Sequence, residues 1–89
     1  NVMISNAGIA RVESLLETTV EAWDNMMGVN LRGTFLCYKT AAEQMIKQGT
    51  GGKIIGAASI VAYRPFALLS PYSASKWGVR GLTQGAAME

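Results

Sequence analysis

A tyrosine and a lysine lie four residues apart near the end of the 89-residue sequence, in the segment SPYSASKWG. If this segment is helical, Tyr72 and Lys76 share one face, one turn apart. A free phenol keeps its proton up to a pH of about 10, and a nearby ammonium group favours the ionised phenolate. Such a pair suits proton transfer to or from an alcohol or carbonyl oxygen. The spacing alone is weak evidence, because Tyr and Lys often fall four residues apart by chance.

Other small or polar residues follow two predicted strands. One group comes after the apolar run VMI at residues 2–4, and its members are Asn6, Ala7 and Gly8. Ser59 ends a second apolar run, over residues 53–59. In open α/β sheets, ligands bind beyond the carboxyl ends of the strands. We therefore expect these residues at one edge of the sheet, beside the start of the helix that carries Tyr72.

Asn30 lies among apolar residues in the middle of the sequence. A buried asparagine must find hydrogen-bond partners or destabilise the fold. Two interpretations stay open: a neighbouring carbonyl satisfies the amide, or the residue is functional. Gly28 and Gly33 on either side suggest a local irregularity of the helix that frees a carbonyl group.

The spacing of apolar residues predicts one long helix around Asn30. Thr18 with Glu21 forms a capping box that would begin it, and Thr19 is an alternative cap. Apolar residues then recur every three or four positions to about Lys47, which is typical of a helix with one buried stripe. The stripe consists of Val20, Trp23, Met27, Leu31, Phe35, Tyr38, Ala42 and Met45. The GTGG segment at residues 49–52 indicates a helix end and a turn.

A second strand is predicted over residues 53–59, and a loop over residues 60–69. Ser70 and Pro71 fit the cap and first position of a last helix, because proline suits the first turn. This helix runs from Tyr72 towards Glu89. The order strand, helix, strand, helix is a βαβ unit with one more helix, so we expect an α/β fold with parallel strands and a right-handed crossover.

Composition excludes several kinds of protein. Apolar residues make up 49% of the sequence and charged residues 16%, and the net charge is only +2. The basic residues are scattered, so neither nucleic acid nor a membrane surface is expected as a partner. No apolar stretch approaches the roughly 20 residues of a membrane span, and we expect a cytoplasmic protein. With no His and one Cys, neither an internal disulfide nor a metal site is expected.

Several other motifs do not fit. The segment GTGGK precedes a strand, and Lys47 and Ile54 stand where a P-loop requires Gly and Ser or Thr. Ile54 also replaces the last glycine of a G-x-G-x-x-G turn, and no G-x-S-x-G motif occurs. Cys37 lies in the predicted helix, and the sequence has no His to activate it, so a packed thiol is predicted.

Four motifs in order, NAG, Asn30 in VNLRGTF, Ser59 and Tyr72-x-x-x-Lys76, resemble those of the short-chain dehydrogenase/reductases. Ser59 lies 13 residues before Tyr72, a spacing typical of that family. The resemblance covers essentially the whole sequence. It implies a piece of a doubly wound, parallel-sheet, NAD(P)-binding Rossmann fold. We therefore expect residues 1–89 to be the central part of one such domain, truncated at both ends.

The resemblance also implies roles for the residues. Tyr72 would be the general acid or base, and Lys76 would favour its phenolate and bind the nicotinamide ribose. Ser59 would orient the substrate oxygen, and Asn30 would hold a water that continues a proton relay from Lys76.

The cofactor-binding residues implied by the resemblance are Asn6, Ala7, Gly8, Tyr72 and Lys76. The family usually has a second Asn where Ser5 stands here. The glycine-rich turn and the residue that selects NAD or NADP are absent from this sequence, so the choice between the two stays open.

The implied function is an NAD(P)-dependent oxidoreductase that interconverts a secondary alcohol and a ketone. The segments GGKIIGAAS and YSASKWGVRGLTQ resemble an acetoin and diacetyl reductase subgroup, and Tyr63, Arg64 and Phe66 are candidate substrate contacts. An epimerase or dehydratase of the extended branch and a non-catalytic binding module are the alternatives. We expect the isolated segment neither to fold stably nor to turn over substrate.

Small residues recur every three or four positions along the last helix, at Ala74, Gly78, Gly81 and Gly85. Glycine lowers helix stability, so this pattern favours close packing against a neighbour. That neighbour is either another part of the chain or a second copy, since similar family members form dimers and tetramers through the long and last helices.

Overall fold

The computed structural model describes all 89 residues. Strand β1 (Val2–Ser5) leads through an irregular segment to helix α1 (Val20–Met27), a π-helical turn (Gly28–Arg32) and helix α2 (Gly33–Gln48). Strand β2 (Lys53–Gly56), a 3-10 turn (Ile60–Ala62) and helix α3 (Ser70–Ala87) complete the chain. No helix is both long enough and apolar enough to cross a membrane.

The two strands pair in parallel, as predicted, with Val2 opposite Lys53 and Ser5 opposite Gly56. The second strand is shorter than predicted, because it ends at Gly56 and not at Ser59. Strand β1 ends at Ser5, whose carbonyl accepts the last bond from the Ala57 amide (3.1 Å). Beyond this bond there is no strand left to pair with, and the chain turns away.

The long helix is continuous to Gln48, as predicted, but Thr19 caps it and the preferred Thr18 does not. The Thr19 hydroxyl accepts from the Ala22 amide at 3.0 Å, whereas the Thr18 hydroxyl donates backwards to the Ser14 carbonyl at 2.9 Å. The predicted irregularity between Gly28 and Gly33 is the π-helical turn. Gly49 ends the helix with a φ of 70°, a left-handed conformation that suits glycine.

The buried row of the long helix differs from the predicted stripe. Four buried residues follow at steps of four, and they are Met26, Asn30, Thr34 and Tyr38. Only Tyr38 belongs to the predicted stripe, while Val20 (77% exposed), Trp23 and Phe35 are exposed. The buried row mixes apolar and polar side chains and faces the sheet and α3, whereas Val20, Trp23 and Phe35 of the predicted stripe lie on a side that this chain does not cover.

Helix α3 begins one residue earlier than expected, since the Ser73 amide donates to the Leu69 carbonyl at 2.7 Å. Leu69 is therefore the cap, and Pro71 lies in the first turn. Gly78 packs inside the chain, because a Cβ there would come within 2.7 Å of the Leu31 side chain. A Cβ at Gly81 or Gly85 would meet nothing within 4 Å, so packing within this chain accounts for only one of these three glycines.

Candidate functional site

A cleft of about 260 Å³ lies beyond the carboxyl ends of the two strands. It is lined by residues from the segments after β1 and β2 and from the first turns of α3. These residues are Asn6, Gly8, Ile9, Ala10, Ala57, Ala58, Tyr72 and Lys76. The expected meeting of the NAG segment with Tyr72 and Lys76 at one edge of the sheet is therefore observed.

Lys76 is buried, with only 5% of the residue exposed. Its Nζ donates to the Ala57 carbonyl at 3.0 Å and lies 5.7 Å from the centre of the Tyr72 ring. An ammonium group has three N–H donors, and this hydrogen bond uses one of them. Two donors remain for other partners, and Lys76 lines the cleft together with Tyr72.

Gly8, in the segment after β1, lies close to both Asn30 and Lys76. A Cβ added there would lie 3.3 Å from Asn30 Oδ1 and 3.4 Å from Lys76 Nζ, closer than most carbon contacts in proteins. The wall of the cleft therefore has little room for a side chain at this position. Asn6 also lines the cleft, whereas Ala7 is exposed and is not among its lining residues.

The Asn30 side chain joins the segment after β1 to the π-helical turn. Its Oδ1 accepts from the Ile9 amide and its Nδ2 donates to the Ile9 carbonyl, both at 2.8 Å. The residue is completely buried. Of the two interpretations of Asn30 left open by the sequence, these bonds support the one in which a neighbouring carbonyl, here that of Ile9, satisfies its side-chain amide. The main-chain carbonyl of Asn30 accepts from the Thr34 hydroxyl at 2.8 Å.

Ser75 connects Asn30 to Tyr72, and sequence reasoning missed it. Its hydroxyl accepts from Asn30 Nδ2 at 3.1 Å and donates to the Tyr72 carbonyl at 2.7 Å. Ser75 is fully buried. The one feature of the sequence that could have indicated this role is the position of Ser75 three residues after Tyr72, which places both on one helix face. Ser is too common on helices for that spacing to indicate a network by itself.

Ser59 lies next to the cleft wall and caps the 3-10 turn. Its Oγ accepts from the Val61 amide at 3.3 Å, and its carbonyl accepts from the Ala62 amide at 2.9 Å. This leaves the hydroxyl hydrogen free to donate to a ligand oxygen. The neighbouring residue Ala58 lines the cleft and Ser59 itself does not. The structure therefore places Ser59 at the edge of the site.

The loop after Ser59 lies further out. Tyr63, Arg64 and Phe66 are all exposed and none lines the cleft. The end of this loop is tied to the segment after β1 by a hydrogen bond from the Glu13 amide to the Leu68 carbonyl (3.0 Å). Leu68 is the only non-glycine residue with a positive φ, at 64°.

Comparison with known proteins gives a consistent result. All of residues 1–89 match the sequence model of a family described as short chain dehydrogenase. A short-chain dehydrogenase/reductase of Armillaria gallica is 55% identical over 89 residues, which are 100% of this chain and 34% of that protein. The chain therefore spans about a third of the length of this relative.

Two solved structures superpose closely on the chain. The acetoin dehydrogenase YohF from Salmonella typhimurium gives a TM-score of 0.95 at 35% identity, over 99% of this chain and 35% of that one. A gluconate 5-dehydrogenase from Burkholderia cenocepacia, in complex with NADP and tartrate, gives 0.89 at 36% identity, over 96% of this chain and 33% of that one. These superpositions confirm the predicted Rossmann-type α/β fold.

Proposed function

Because the chain belongs to the short-chain dehydrogenase family, we propose that it is the central part of one Rossmann-type domain that interconverts a secondary alcohol and a ketone with NAD or NADP. The observation that carries this proposal is the buried Lys76 ammonium beside the Tyr72 ring, in the cleft formed by the strand ends. A buried cation near a phenol suits a group that exchanges protons with an alcohol or carbonyl oxygen.

The residues of the cleft fit a nicotinamide cofactor. Gly8 has no side chain to fill the space beside Asn30 and Lys76, and Lys76 has N–H donors left for the ribose hydroxyl groups. Asn6 and Gly8 border the space for the rest of the cofactor and Tyr72 flanks it, while Ala7 is proposed as a cofactor contact only from the family resemblance. When bound, the cofactor supplies or accepts the hydride. The relative with NADP bound supports NADP as one candidate, and the choice between NAD and NADP is left to the assay below.

Three side chains handle the proton and the substrate oxygen in this proposal. In reduction, the Tyr72 hydroxyl donates its proton to the ketone oxygen, and in oxidation the Tyr72 phenolate takes the alcohol proton. Lys76 stabilises the phenolate through its charge. The Ser59 hydroxyl donates a hydrogen bond to the same substrate oxygen and holds it near Tyr72.

Asn30 contributes through its main chain in this proposal. Its amide is engaged with Ile9 and Ser75, so a relay water beside Lys76 would bind the Asn30 carbonyl. Asn30 lies within the π-helical turn, where the hydrogen-bond ladder departs from the α-helical pattern.

The substrate is proposed as a small α-hydroxyketone or diketone. The similarity to an acetoin dehydrogenase supports this class. The other similar structure is named a gluconate 5-dehydrogenase, a name that points to a sugar acid instead. The test is an assay of the full-length protein with NADH and NADPH against acetoin, diacetyl and keto sugar acids. Oxidation of one reduced cofactor that depends on a ketone is expected. No turnover with any ketone or alcohol would contradict the proposal.

The long helix and the last helix also support association of two copies. A groove of about 540 Å³ lies between them. Its lining combines apolar side chains with an acidic and a basic residue, and consists of Asp24, Met27, Gly28, Leu31, Arg32, Phe35 and Leu82. In a two-fold contact the same patch faces itself, so the two copies would bring both acidic Asp24 and basic Arg32 to the contact.

This association has a direct test in the full-length protein. Phe35→Glu places a charge in the groove and is expected to reduce the oligomer to a smaller species in analytical ultracentrifugation. Gln44→Glu, on the exposed side of the same helix, is the matched control and should leave the mass unchanged. An unchanged mass for Phe35→Glu would exclude this groove as the contact.

A further inference from the structure

Arg80 joins helix α3 to the segment that follows Ser59. Its guanidinium lies over the Tyr63 ring, 4.1 Å from the ring centre, and 5.4 Å from the centre of the Trp77 ring. Nη1 of Arg80 also donates a long hydrogen bond of 3.4 Å to the Ala62 carbonyl. A hydrogen bond of this length is weak, so stacking on Tyr63 is the stronger part of the contact.

The position of the Ser59 hydroxyl depends on the turn that Arg80 holds. Ser59 caps this turn by accepting from the Val61 amide with its side chain and from the Ala62 amide with its carbonyl. Val61 and Ala62 are both buried, and the turn packs on α3. A shift of the turn would therefore move the Ser59 hydroxyl or release it from its cap.

The spacing along α3 connects this contact to the candidate active site. Tyr72, Lys76 and Arg80 follow one another at steps of four and share one helix face. Lys76 donates to a carbonyl just before Ser59, and Arg80 donates to one just after it. The segment that carries Ser59 is thus attached on both sides to the helix that carries Tyr72.

We propose that Arg80 is a positioning residue, which fixes the turn after Ser59 to α3 and so directs the Ser59 hydroxyl towards the substrate oxygen held by Tyr72. This inference rests on the proposed function, which gives Ser59 and Tyr72 their roles. It adds a residue outside the cleft whose effect on catalysis passes through Ser59.

The first test is kinetic, with the full-length protein. Arg80→Leu removes the stacking and the charge, and kcat is expected to fall roughly tenfold with little change in the KM of the nicotinamide cofactor. Arg80→Lys keeps the charge without the planar stack and should give an intermediate kcat. Lys39→Leu removes an exposed positive charge from α2 and is the control, with wild-type kinetics expected.

A double-mutant cycle separates positioning from a general structural role. If Arg80 acts through Ser59, Arg80→Leu should cost little further activity in a Ser59→Ala background. If the loss from Arg80→Leu is as large with Ser59→Ala as without it, the proposal is wrong. A clearly smaller loss in the Ser59→Ala background supports it, because a general weakening of the fold would affect both backgrounds alike.

Hydrogen exchange gives a readout that does not need activity. Arg80→Leu should speed exchange of the Val61 and Ala62 amides roughly tenfold, while amides in α2 keep their rates. Tyr63→Leu removes the ring on which Arg80 stacks and should speed exchange of the same two amides. This second variant keeps the test valid if Arg80→Leu does not fold. Unchanged rates in both variants would overturn the proposal. If the rates rise but Ser59→Ala is fully active, Arg80 holds the turn as inferred and the proposed function is what fails.

Discussion

The Asn30 amide forms more side-chain hydrogen bonds than any other group beside the cleft. It pairs with both main-chain groups of Ile9 and reaches Ser75, which in turn bonds to the Tyr72 carbonyl. A single side chain therefore links the segment after β1, the π-helical turn and the helix of Tyr72. At the residue scale, this link sets how far the cleft wall lies from the tyrosine.

Replacement of Asn30 by Ala tests this link. It leaves the part-buried Ile9 amide and carbonyl without their partner and opens a gap at a fully buried position, so we expect the Tm of the full-length protein to fall by roughly 4–8 °C, or about 2 kcal/mol. Asn25→Ala, at an exposed position on α1, is the control, with a change in stability within about 0.5 kcal/mol. Equal Tm values for the two variants would contradict the structural role of Asn30.

The sequence predicted part of the site at this scale. Tyr72, Lys76 and Gly8 were placed together from the strand-end rule, because that rule depends only on topology. The roles of Ser75 and Arg80 were not predicted. Each depends on which buried group lies opposite the side chain across two elements, and a single sequence does not contain that distance.

At the scale of elements, the positions of strands and helices followed from the sequence more closely than their contacts did. Strand β1, the end of the long helix at Gly49 and the irregularity near Asn30 were predicted, because glycine and short apolar runs are local signals. The predicted end of β2 at Ser59 was wrong, because the strand ends at Gly56, where its partner β1 also ends. The predicted buried row was wrong because the row that this chain covers includes the polar residues Asn30 and Thr34, which a search for apolar periodicity passes over.

The loop between Ser59 and α3 contains one strained residue, Leu68, with a φ of 64°. A β-branched side chain fits this left-handed conformation worse than leucine does, so Leu68→Val should destabilise the full-length protein by about 1 kcal/mol. Leu68→Gly removes the steric strain and is expected to leave the Tm unchanged or slightly higher, since the chain entropy of glycine offsets part of the gain. Thermal melts of the pair are the measurement. A stabilising Leu68→Val would show that the loop does not adopt this conformation.

At the scale of the whole molecule, much apolar surface is not covered by this chain. Ile4 in β1 is 63% exposed, and Val2 and Ile55 are exposed as well. The sheet has only two strands, so each has an unpaired edge. Parallel sheets are normally covered on both faces. These surfaces support the proposal that the chain is part of a larger domain, because it spans about a third of the length of its relatives.

The isolated 89-residue segment is therefore expected not to fold cooperatively. Its melt, followed by circular dichroism, should lack a sharp transition, and the segment should aggregate or elute as an expanded chain in size-exclusion chromatography. The full-length protein is the control and should melt cooperatively. A cooperative melt of the segment alone, together with a compact elution volume, would contradict this expectation.

The most direct test of the proposed mechanism is Tyr72→Phe in the full-length protein. The change removes only the phenolic oxygen, so the ring, the fold and the cofactor affinity should stay as they are. Because positioned acid–base groups typically contribute 100-fold or more, we expect kcat for reduced-nicotinamide oxidation to fall by at least about 100-fold. The measurement pairs this rate with cofactor binding by fluorescence titration. Turnover near the wild-type rate, with binding intact, would show that Tyr72 is not the proton donor and that the account is wrong.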